Sequence, residues 1–244
     1  MINKLVMLTA YDYPTAKIID EIEVDYILVG DSLAMSILGH PDTKSVTMAE
    51  MIHHVKAVVR GAPRSKIIAD LPVGTYHTAS LALKNAKKFM AIGASGVKIE
   101  GPKLAIIKTL LAHNIPVVGH LGLLPQTAEK YRVHGRDSKE AQKILADAKK
   151  LDTLGIDALV LECVPATLAK TITNALTTPT IGIGAGKYCD GQVLVLADLI
   201  GLSDFNGKMI KRYANVKEVI KQAVTNFKKD VIAEKFPTEE NSFL

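Results

Sequence analysis

The chain has 244 residues, of which 48% are hydrophobic and 23% are charged, and its formal net charge at pH 7 is +5. At about 150 residues per domain, this length allows one large α/β domain or two small domains. The composition excludes a disordered, fibrous or low-complexity chain, because the apolar fraction is large enough to form a sizeable core.

The surplus of positive charge is concentrated near the C-terminus. The segment Lys208–Lys229 has seven Lys or Arg residues and a single acidic residue, Glu218. Its charges recur at roughly helical intervals with few aromatic residues, which predicts a solvated helix face rather than an anion-binding patch. The two cysteines, Cys163 and Cys189, lack metal-ligand spacing, and no apolar run approaches the about 18 residues of a membrane span. We therefore expect a reduced, cytoplasmic protein without nucleic-acid or membrane partners.

Short apolar runs alternate along the chain with longer runs of helical period, which is typical of βαβ units. The predicted strands are Leu5–Thr9, Asp25–Val29, Lys66–Ala69, Gly96–Ile99, Pro116–Gly119, Ala158–Leu161, Thr180–Ile183 and Val193–Leu196. The predicted helices include Thr47–Arg60, Ala79–Ile92, Pro102–Ala112, Lys139–Leu154 and Pro165–Leu176. The spacing of Thr47 and Glu50 predicts a capping box.

Eight strands, each followed by a helix or a loop, favour an α/β fold of the parallel (β/α)8 TIM barrel type over a doubly wound sheet. We expect one barrel domain over residues 1–244, in which residues 204–244 form a C-terminal helical segment and tail.

Ionisable side chains follow five of the predicted strands, at the rim where barrel enzymes carry their active sites. These residues are Asp31, Asp70, Glu100, His120 and Glu162. Lys98 lies two residues before Glu100 and therefore on the same face of its strand. Three carboxylates at one mouth repel each other unless a cation or protons neutralise them. All-oxygen ligands with open positions suit Mg²⁺ better than Ca²⁺, so the sequence predicts a magnesium site.

Each of these residues also has a structural interpretation. Taken singly, Asp31 or Asp70 could be a turn former or the N-cap of the next helix. His120 could equally be a hydrogen-bonded structural histidine. Cys163 adjoins Glu162, but alternation along the strand predicts that it points away from the mouth as a core cysteine.

Eight blocks of sequence, in order, resemble the ketopantoate hydroxymethyltransferase family. The blocks are Thr9–Asp12, Leu28–Ser32, Arg60–Pro63, Ala69–Pro72, Val97–Gly101, Gly119–Leu123, Leu161–Pro165 and Ile181–Gly186. The resemblance implies a homo-oligomeric barrel enzyme, in this family a decamer. Such an enzyme transfers a hydroxymethyl unit from 5,10-methylenetetrahydrofolate to 3-methyl-2-oxobutanoate through a Mg-stabilised enolate, in pantothenate biosynthesis.

The resemblance also implies roles for individual residues. Asp31 and Asp70 would be Mg²⁺ ligands, and Glu100 would complete or orient the metal shell. Glu162 would be the catalytic base. The keto acid site would comprise Asp31, Ser32, Asp70, Lys98 and His120. The sequence departs from the family in Leu124–Arg132, which lacks the family's Gly-Gly pair and predicts a shorter loop, and it follows the family only loosely after Gly201.

Two other classes of protein are compatible with this rim. An enzyme of the phosphoenolpyruvate mutase and isocitrate lyase type would also use Mg²⁺ and small keto acids, but the chain lacks a reactive-loop pattern such as KKCGH. A non-catalytic binding protein of the same fold would be expected to have lost some of the rim residues. Asp31, Asp70, Lys98, Glu100 and Glu162 are all present.

Overall fold

Eight parallel strands close into a barrel in chain order, with β8 paired to β1. The computed structural model describes residues 4–243. The strands are β1 Leu5–Thr9, β2 Tyr26–Val29, β3 Lys66–Asp70, β4 Gly96–Glu100, β5 Val117–Gly122, β6 Ala158–Glu162, β7 Thr180–Ile183 and β8 Gly191–Leu194. The TIM barrel predicted from the sequence is confirmed.

Helices lie between successive strands from β1 to β7. They are α1 Tyr13–Ile22, α2 Leu33–Ser36, α3 Met48–Gly61, α4 Ala79–Ala91, α5 Leu104–Ala112, α6 Ser138–Leu154 and α7 Ala166–Ala175. The predicted capping box is confirmed, because the Thr47 hydroxyl accepts from the Glu50 amide and the Glu50 carboxylate accepts from the Thr47 amide. None of the helices within residues 4–243 combines the length and apolarity of a membrane span.

The chain forms two compact units, the first ending at Val195 and the second beginning at Leu196. All eight strands lie in the first unit. The second contains α8 Leu196–Leu199, α9 Val216–Ile232 and a short 3₁₀ helix at Glu239–Asn241. No residue of α9 is buried. The assignment of residues 1–244 to one domain stays a prediction.

The barrel interior is an apolar plug below a polar rim. The buried cluster in the barrel comprises Met7, Leu28, Ile68, Val118, Ala158, Val160, Ile181 and Val193. Because side chains alternate along a strand, the residue two positions beyond a plug residue lies on the same face. Asp70 follows Ile68 in this way, His120 follows Val118, and Glu162 follows Val160. The strand geometry therefore directs these polar side chains to the C-terminal mouth of the barrel.

Two predicted strands differ from the structure by more than one residue at an end. The eighth strand was expected at Val193–Leu196, but it starts at Gly191, and Leu196 already begins α8. The register pairs Gly191 with Leu5, and a Cβ at position 191 would lie 2.6 Å from the Leu5 carbonyl oxygen. Glycine is therefore required at the start of this pairing, and the apolar run continues past the strand's end.

The fifth strand, predicted at Pro116–Gly119, runs instead from Val117 to Gly122. Its pairing continues because Glu100 of β4 stands opposite His120 and Glu162 of β6 stands opposite Gly122. His120 consequently lies inside a strand rather than after one. This position fixes its ring between the two neighbouring strands that carry glutamates.

Candidate active site

Asp31, Asp70 and Lys98 form a buried polar group at the ends of β2, β3 and β4. The Lys98 Nζ lies 2.8 Å from the Asp70 Oδ1. The Asp31 amide donates a hydrogen bond of 3.1 Å to the other oxygen of Asp70, Oδ2. All three residues are at most 6% exposed. Asp70 therefore joins the ends of three strands and is held by a cation on one side and a backbone amide on the other.

Glu100, the last residue of β4, connects this group to the centre of the mouth. Its Oε2 accepts a hydrogen bond of 3.1 Å from the Gln126 amide, and its Oε1 lies 3.5 Å from the His120 Nδ1. The His120 Nε2 lies 3.2 Å from the Glu162 Oε2. Neither ring nitrogen of His120 has the alignment of a full hydrogen bond to its carboxylate. His120 is thus an ionic bridge between two glutamates.

Glu162 ends β6 and is the most exposed carboxylate of the set, with a side chain that is 13% exposed. The next residue, Cys163, has a backbone φ of 48° in the left-handed region. Because this residue is no longer extended, the predicted alternation does not apply to it. The core-cysteine prediction is wrong for Cys163, which is half-buried, whereas Cys189 is buried. Burial raises the pKa of the Cys163 thiol to about 11, which disfavours a thiolate nucleophile.

Ser32 is held on the β2 side of the mouth by Tyr11. The two hydroxyl oxygens lie 2.7 Å apart. The Tyr11 carbonyl oxygen in turn contacts the His54 Nδ1 at 2.6 Å. Burial raises the pKa of Tyr11 to about 12, so its hydroxyl stays protonated and can donate to Ser32. A hydroxyl fixed in this way can present one oxygen to a small polar ligand.

The charges of the site are strongly coupled. Burial, together with the neighbouring Asp70 carboxylate, raises the pKa of Asp31 to about 8. Burial alone would lower the pKa of Lys98, but the carboxylates around it outweigh this effect and raise it. Burial likewise opposes a charged His120, yet Glu100 and Glu162 raise its pKa to about 9. Without a further cation, burial and the Asp70 carboxylate therefore favour the protonated form of Asp31.

The donor set fits a hard divalent cation that keeps part of its shell for water and substrate. Among residues 4–243, no three or more His, Cys, Asp or Glu side chains are arranged as a closed metal site. Mg²⁺ is commonly held by only one or two protein carboxylates. Asp31 and Asp70 supply two such carboxylates. Asp31, Asp70, Glu100 and Glu162 carry four negative charges when ionised, against two positive charges on Lys98 and protonated His120. A divalent cation would balance the remainder.

A cavity of about 310 Å³ opens beside Glu100. Three loops that follow β3, β4 and β5 form its walls, with Tyr76 and His77 from the first, Pro102 and Lys103 from the second, and Leu124 from the third. A larger open depression of about 740 Å³ lies beside Arg132 and Lys143 and contains none of the predicted site residues. The cavity beside Glu100 is therefore the one relevant to the chemistry of the mouth.

All seven predicted site residues lie at the barrel mouth, but three participants were missed. Gln126 contacts both Asp31 and Glu100, Tyr76 donates to the Gln126 side chain, and Tyr11 supports Ser32. Gln126 follows an apolar stretch after a strand that ends at the rim, and this position was the one sequence feature that could have indicated a role in the site. Tyr11 and Tyr76 are aromatic residues in loops, and nothing in their spacing distinguishes them from packing residues.

Comparison with known proteins separates this chain from others with the same fold. A family model described as ketopantoate hydroxymethyltransferase matches residues 2–239. A 3-methyl-2-oxobutanoate hydroxymethyltransferase of Clostridium acetobutylicum is 48% identical, over 99% of this chain and 90% of the relative.

Solved structures with the same fold are much less similar in sequence. 2,3-Dimethylmalate lyase, a member of the PEP mutase/isocitrate lyase superfamily, has a TM-score of 0.65 and 16% identity, covering 98% of this chain and 88% of that chain. Phosphonopyruvate hydrolase in complex with oxalate and Mg²⁺ has a TM-score of 0.65 and 11% identity, with coverage of 98% and 88%. These likenesses support the barrel fold alone.

Proposed function

Because the chain belongs to the ketopantoate hydroxymethyltransferase family, we propose that it transfers a hydroxymethyl unit to 3-methyl-2-oxobutanoate and forms 2-dehydropantoate for pantothenate synthesis. The proposed donor is 5,10-methylenetetrahydrofolate, and the predicted cytoplasmic location is part of the same proposal. The observation that carries it is the pairing, at one barrel mouth, of the buried Asp31–Asp70–Lys98 group with a more exposed carboxylate, Glu162. The first group, once it holds a divalent cation, suits binding of an anionic keto acid, and Glu162 suits proton removal.

Asp31 and Asp70 would hold Mg²⁺, with Glu100 completing or orienting its shell. Bound Mg²⁺ would supply Lewis-acid polarisation of the keto acid's carbonyl group. Lys98, which pairs with Asp70 at 2.8 Å, would also attract the substrate carboxylate. Ser32, fixed by Tyr11, would donate a hydrogen bond to the same substrate. His120 would support the pocket from the side of Glu162.

Glu162 would act as the base. It takes the proton from C3 of the keto acid as the C3–H bond breaks, and the electron pair moves through C2 to the carbonyl oxygen. Lys98 offsets the negative charge that develops there. The resulting enolate carbon bonds to the one-carbon unit of the donor. Both C–N bonds to the transferred carbon break, one water supplies the new hydroxyl group, and tetrahydrofolate leaves with the proton from C3 and one proton of the water on its two nitrogens.

The cavity beside Glu100 would receive the donor. It adjoins the proposed metal and keto acid site through Glu100, and its walls combine aromatic and apolar groups from Tyr76, Pro102 and Leu124. Apolar walls with a few polar groups are typical of small-molecule sites, and about 310 Å³ lies at the lower end of their range. A donor bound there would carry its one-carbon unit toward the keto acid.

Product analysis tests this function against the lyase class. The protein would be incubated with 3-methyl-2-oxobutanoate, Mg²⁺ and 5,10-methylenetetrahydrofolate, and the products quantified by NMR. We expect 2-dehydropantoate and tetrahydrofolate in equal amounts. Cleavage or rearrangement of a keto acid in the absence of folate would instead support an enzyme of the isocitrate lyase type and contradict the proposal.

We also propose a homo-oligomer, for which the family resemblance suggests a decamer. Within the second unit, Ile220, Val224, Phe227 and Val231 recur at helical spacing along α9, and each is at least 45% exposed. Such an apolar stripe favours burial against another molecule. Light scattering should show an oligomer that Phe227→Glu dissociates, whereas Asn226→Glu, which adds the same charge off the stripe, should not. A wild-type monomer would contradict the proposal.

A further inference from the structure

We propose that Gln126 is a positioning residue that fixes the Asp31 carboxylate for cation binding. The inference rests on the proposed function, because it assigns to this side chain the support of a metal ligand. Gln126 lies in the loop between β5 and α6 and is only 3% exposed. A polar side chain buried to this extent in a loop requires partners for all of its hydrogen-bonding groups.

Gln126 bridges the carboxyl ends of four neighbouring strands. Its Nε2 donates to the Asp31 Oδ2 at 2.8 Å, after β2, and to the Leu71 carbonyl oxygen at 3.0 Å, after β3. Its backbone amide donates to the Glu100 Oε2 at 3.1 Å, at the end of β4, and the residue itself follows β5. One residue therefore fixes the Asp31 carboxylate relative to Glu100, the glutamate proposed to complete or orient the metal shell.

The orientation of the Gln126 amide follows from its surroundings. The Tyr76 hydroxyl contacts the Gln126 Oε1, so that oxygen has a donor. Burial raises the pKa of Tyr76, which keeps its proton in place for this hydrogen bond. If the amide were flipped, its oxygen would face the Asp31 carboxylate and the Leu71 carbonyl oxygen, and three acceptors would meet without a donor. Both hydrogens of the Nε2 group are thus committed, one of them to Asp31.

The Gln126 amide is a neutral hydrogen-bond donor, and its effect on Asp31 differs from that of a cationic side chain. Lys98 neutralises Asp70, whereas the Gln126 amide holds Asp31 without cancelling its charge. The carboxylate is oriented and still attracts a divalent cation. Supporting hydrogen bonds of this kind to metal ligands are worth about 10- to 100-fold in metal affinity. Leucine or methionine could fill the space but could not donate to Asp31.

Mn²⁺ serves as the probe, and its binding in the absence of substrates is measured by electron paramagnetic resonance. Gln126→Met preserves length and removes the two hydrogen bonds that Nε2 donates and the one that Oε1 accepts from Tyr76. We expect it to raise the Mn²⁺ dissociation constant by about 10- to 100-fold relative to the wild type. The matched control is Gln142→Met on the exposed face of α6, which should leave the dissociation constant unchanged. All measurements are made well below the Tm of each variant, so that a loss of stability alone does not change the readout.

A second variant, Gln126→Leu, guards against failure of the methionine variant to fold, because leucine also fills the space and cannot donate to Asp31. Wild-type Mn²⁺ affinity in either folded variant would overturn the positioning role while leaving the proposed function intact. Failure of the wild-type protein itself to bind Mn²⁺ would overturn both this inference and the proposed metal site. A lower Mn²⁺ affinity in the Gln126 variants, with normal affinity in Gln142→Met, would support the inference.

Discussion

The side of the barrel mouth formed by Asp31, Asp70, Lys98 and Gln126 is held by short polar contacts, whereas the side formed by His120 and Glu162 has longer contacts and a more exposed carboxylate. We call these the sealed side and the open side. Contacts on the sealed side are 2.8 Å from Lys98 to Asp70 and from Gln126 to Asp31. On the open side, the His120 ring stands 3.2 Å from the Glu162 carboxylate and 3.5 Å from the Glu100 carboxylate.

This difference corresponds to two chemical tasks. Ligands for a cation and a keto acid act best when their geometry is fixed before the substrate arrives. A base must reach a carbon-bound proton, and hydrogen bonds around catalytic groups are commonly loose until the substrate binds. The 13% exposure of the Glu162 side chain, against 2% for Asp70, is consistent with this division. Variants on the two sides should therefore fail in different ways.

The largest effect is expected on the open side, in the exchange of the C3 proton. With 3-methyl-2-oxobutanoate and Mg²⁺ alone in D₂O, the wild-type protein should replace that proton by deuterium, and the methyl doublet in the NMR spectrum should collapse. Glu162→Gln keeps the shape of the side chain but removes the base, so the exchange rate should fall by about 10² to 10⁴. Binding of the keto acid should persist, because the sealed side is intact.

The matched control for this variant is Glu21→Gln on the exposed surface of α1, which should exchange at the wild-type rate. Exchange at the wild-type rate in Glu162→Gln would assign the base to another residue. If Glu162→Gln instead lost keto acid binding, the separation of the two sides would be wrong.

A smaller effect, on affinity rather than on proton transfer, is expected on the sealed side. Asp31→Ala removes a proposed Mg²⁺ ligand, so calorimetry should show that Mg²⁺ no longer increases affinity for the keto acid. The loss should be at least the about 10- to 100-fold typical of a supporting residue. The fold should remain, because its core is the apolar plug of the barrel.

The control is Asp157→Ala, an exposed aspartate that precedes β6 and therefore lies at the opposite end of the barrel. It should keep the Mg²⁺-dependent affinity. An Asp31→Ala variant with the same Mg²⁺ dependence as the wild type would exclude Asp31 as a ligand.

The sequence was sufficient to predict the barrel and the polar residues of its mouth, because both follow from local periodicity. Alternating apolar runs and helical periods predict the βα units, and a polar residue at a strand end predicts a place on the rim. Asp70, Glu100 and Glu162 were found in this way. Each of these residues can be placed at the mouth once the strand that carries it has been located.

Features that depend on distant parts of the chain were not predictable. The start of β8 is fixed by the close approach of Gly191 to Leu5, which are 186 positions apart in sequence. The role of Gln126 depends on a hydrogen bond to Asp31, 95 residues away. The position of Cys163 depends on a backbone angle of 48°, which its residue type rarely adopts. Such contacts become visible only when the strands are assembled.

The loop of residues 123–137 contacts both the sealed side and the open side of the mouth. A substitution that weakens the anchoring of this loop should have the smallest effect of those considered. At its start, Gln126 lies on the sealed side, and near its end the His134 amide donates to the Cys163 carbonyl oxygen at 2.8 Å, next to the open side. Glu140 fastens this end through hydrogen bonds from Arg132 at 2.7 Å and from the Gly135 amide at 2.7 Å. The Arg132 guanidinium lowers the pKa of Glu140 to about 2 from 4.5.

A lowered pKa means that the folded state favours the ionised carboxylate, so its contribution to stability is complete above pH 4.5 and is lost as the pH falls through about 2. Because Arg132 is 57% exposed, solvent screening reduces the contribution to about 1 kcal/mol. In urea unfolding, Glu140→Gln should therefore be less stable than the wild type by about that amount at pH 7, with the difference shrinking toward pH 2. Glu21→Gln should show no such difference. If the difference in unfolding free energy between Glu140→Gln and the wild type persisted unchanged at pH 2, Glu140 would hold the loop by packing rather than by charge.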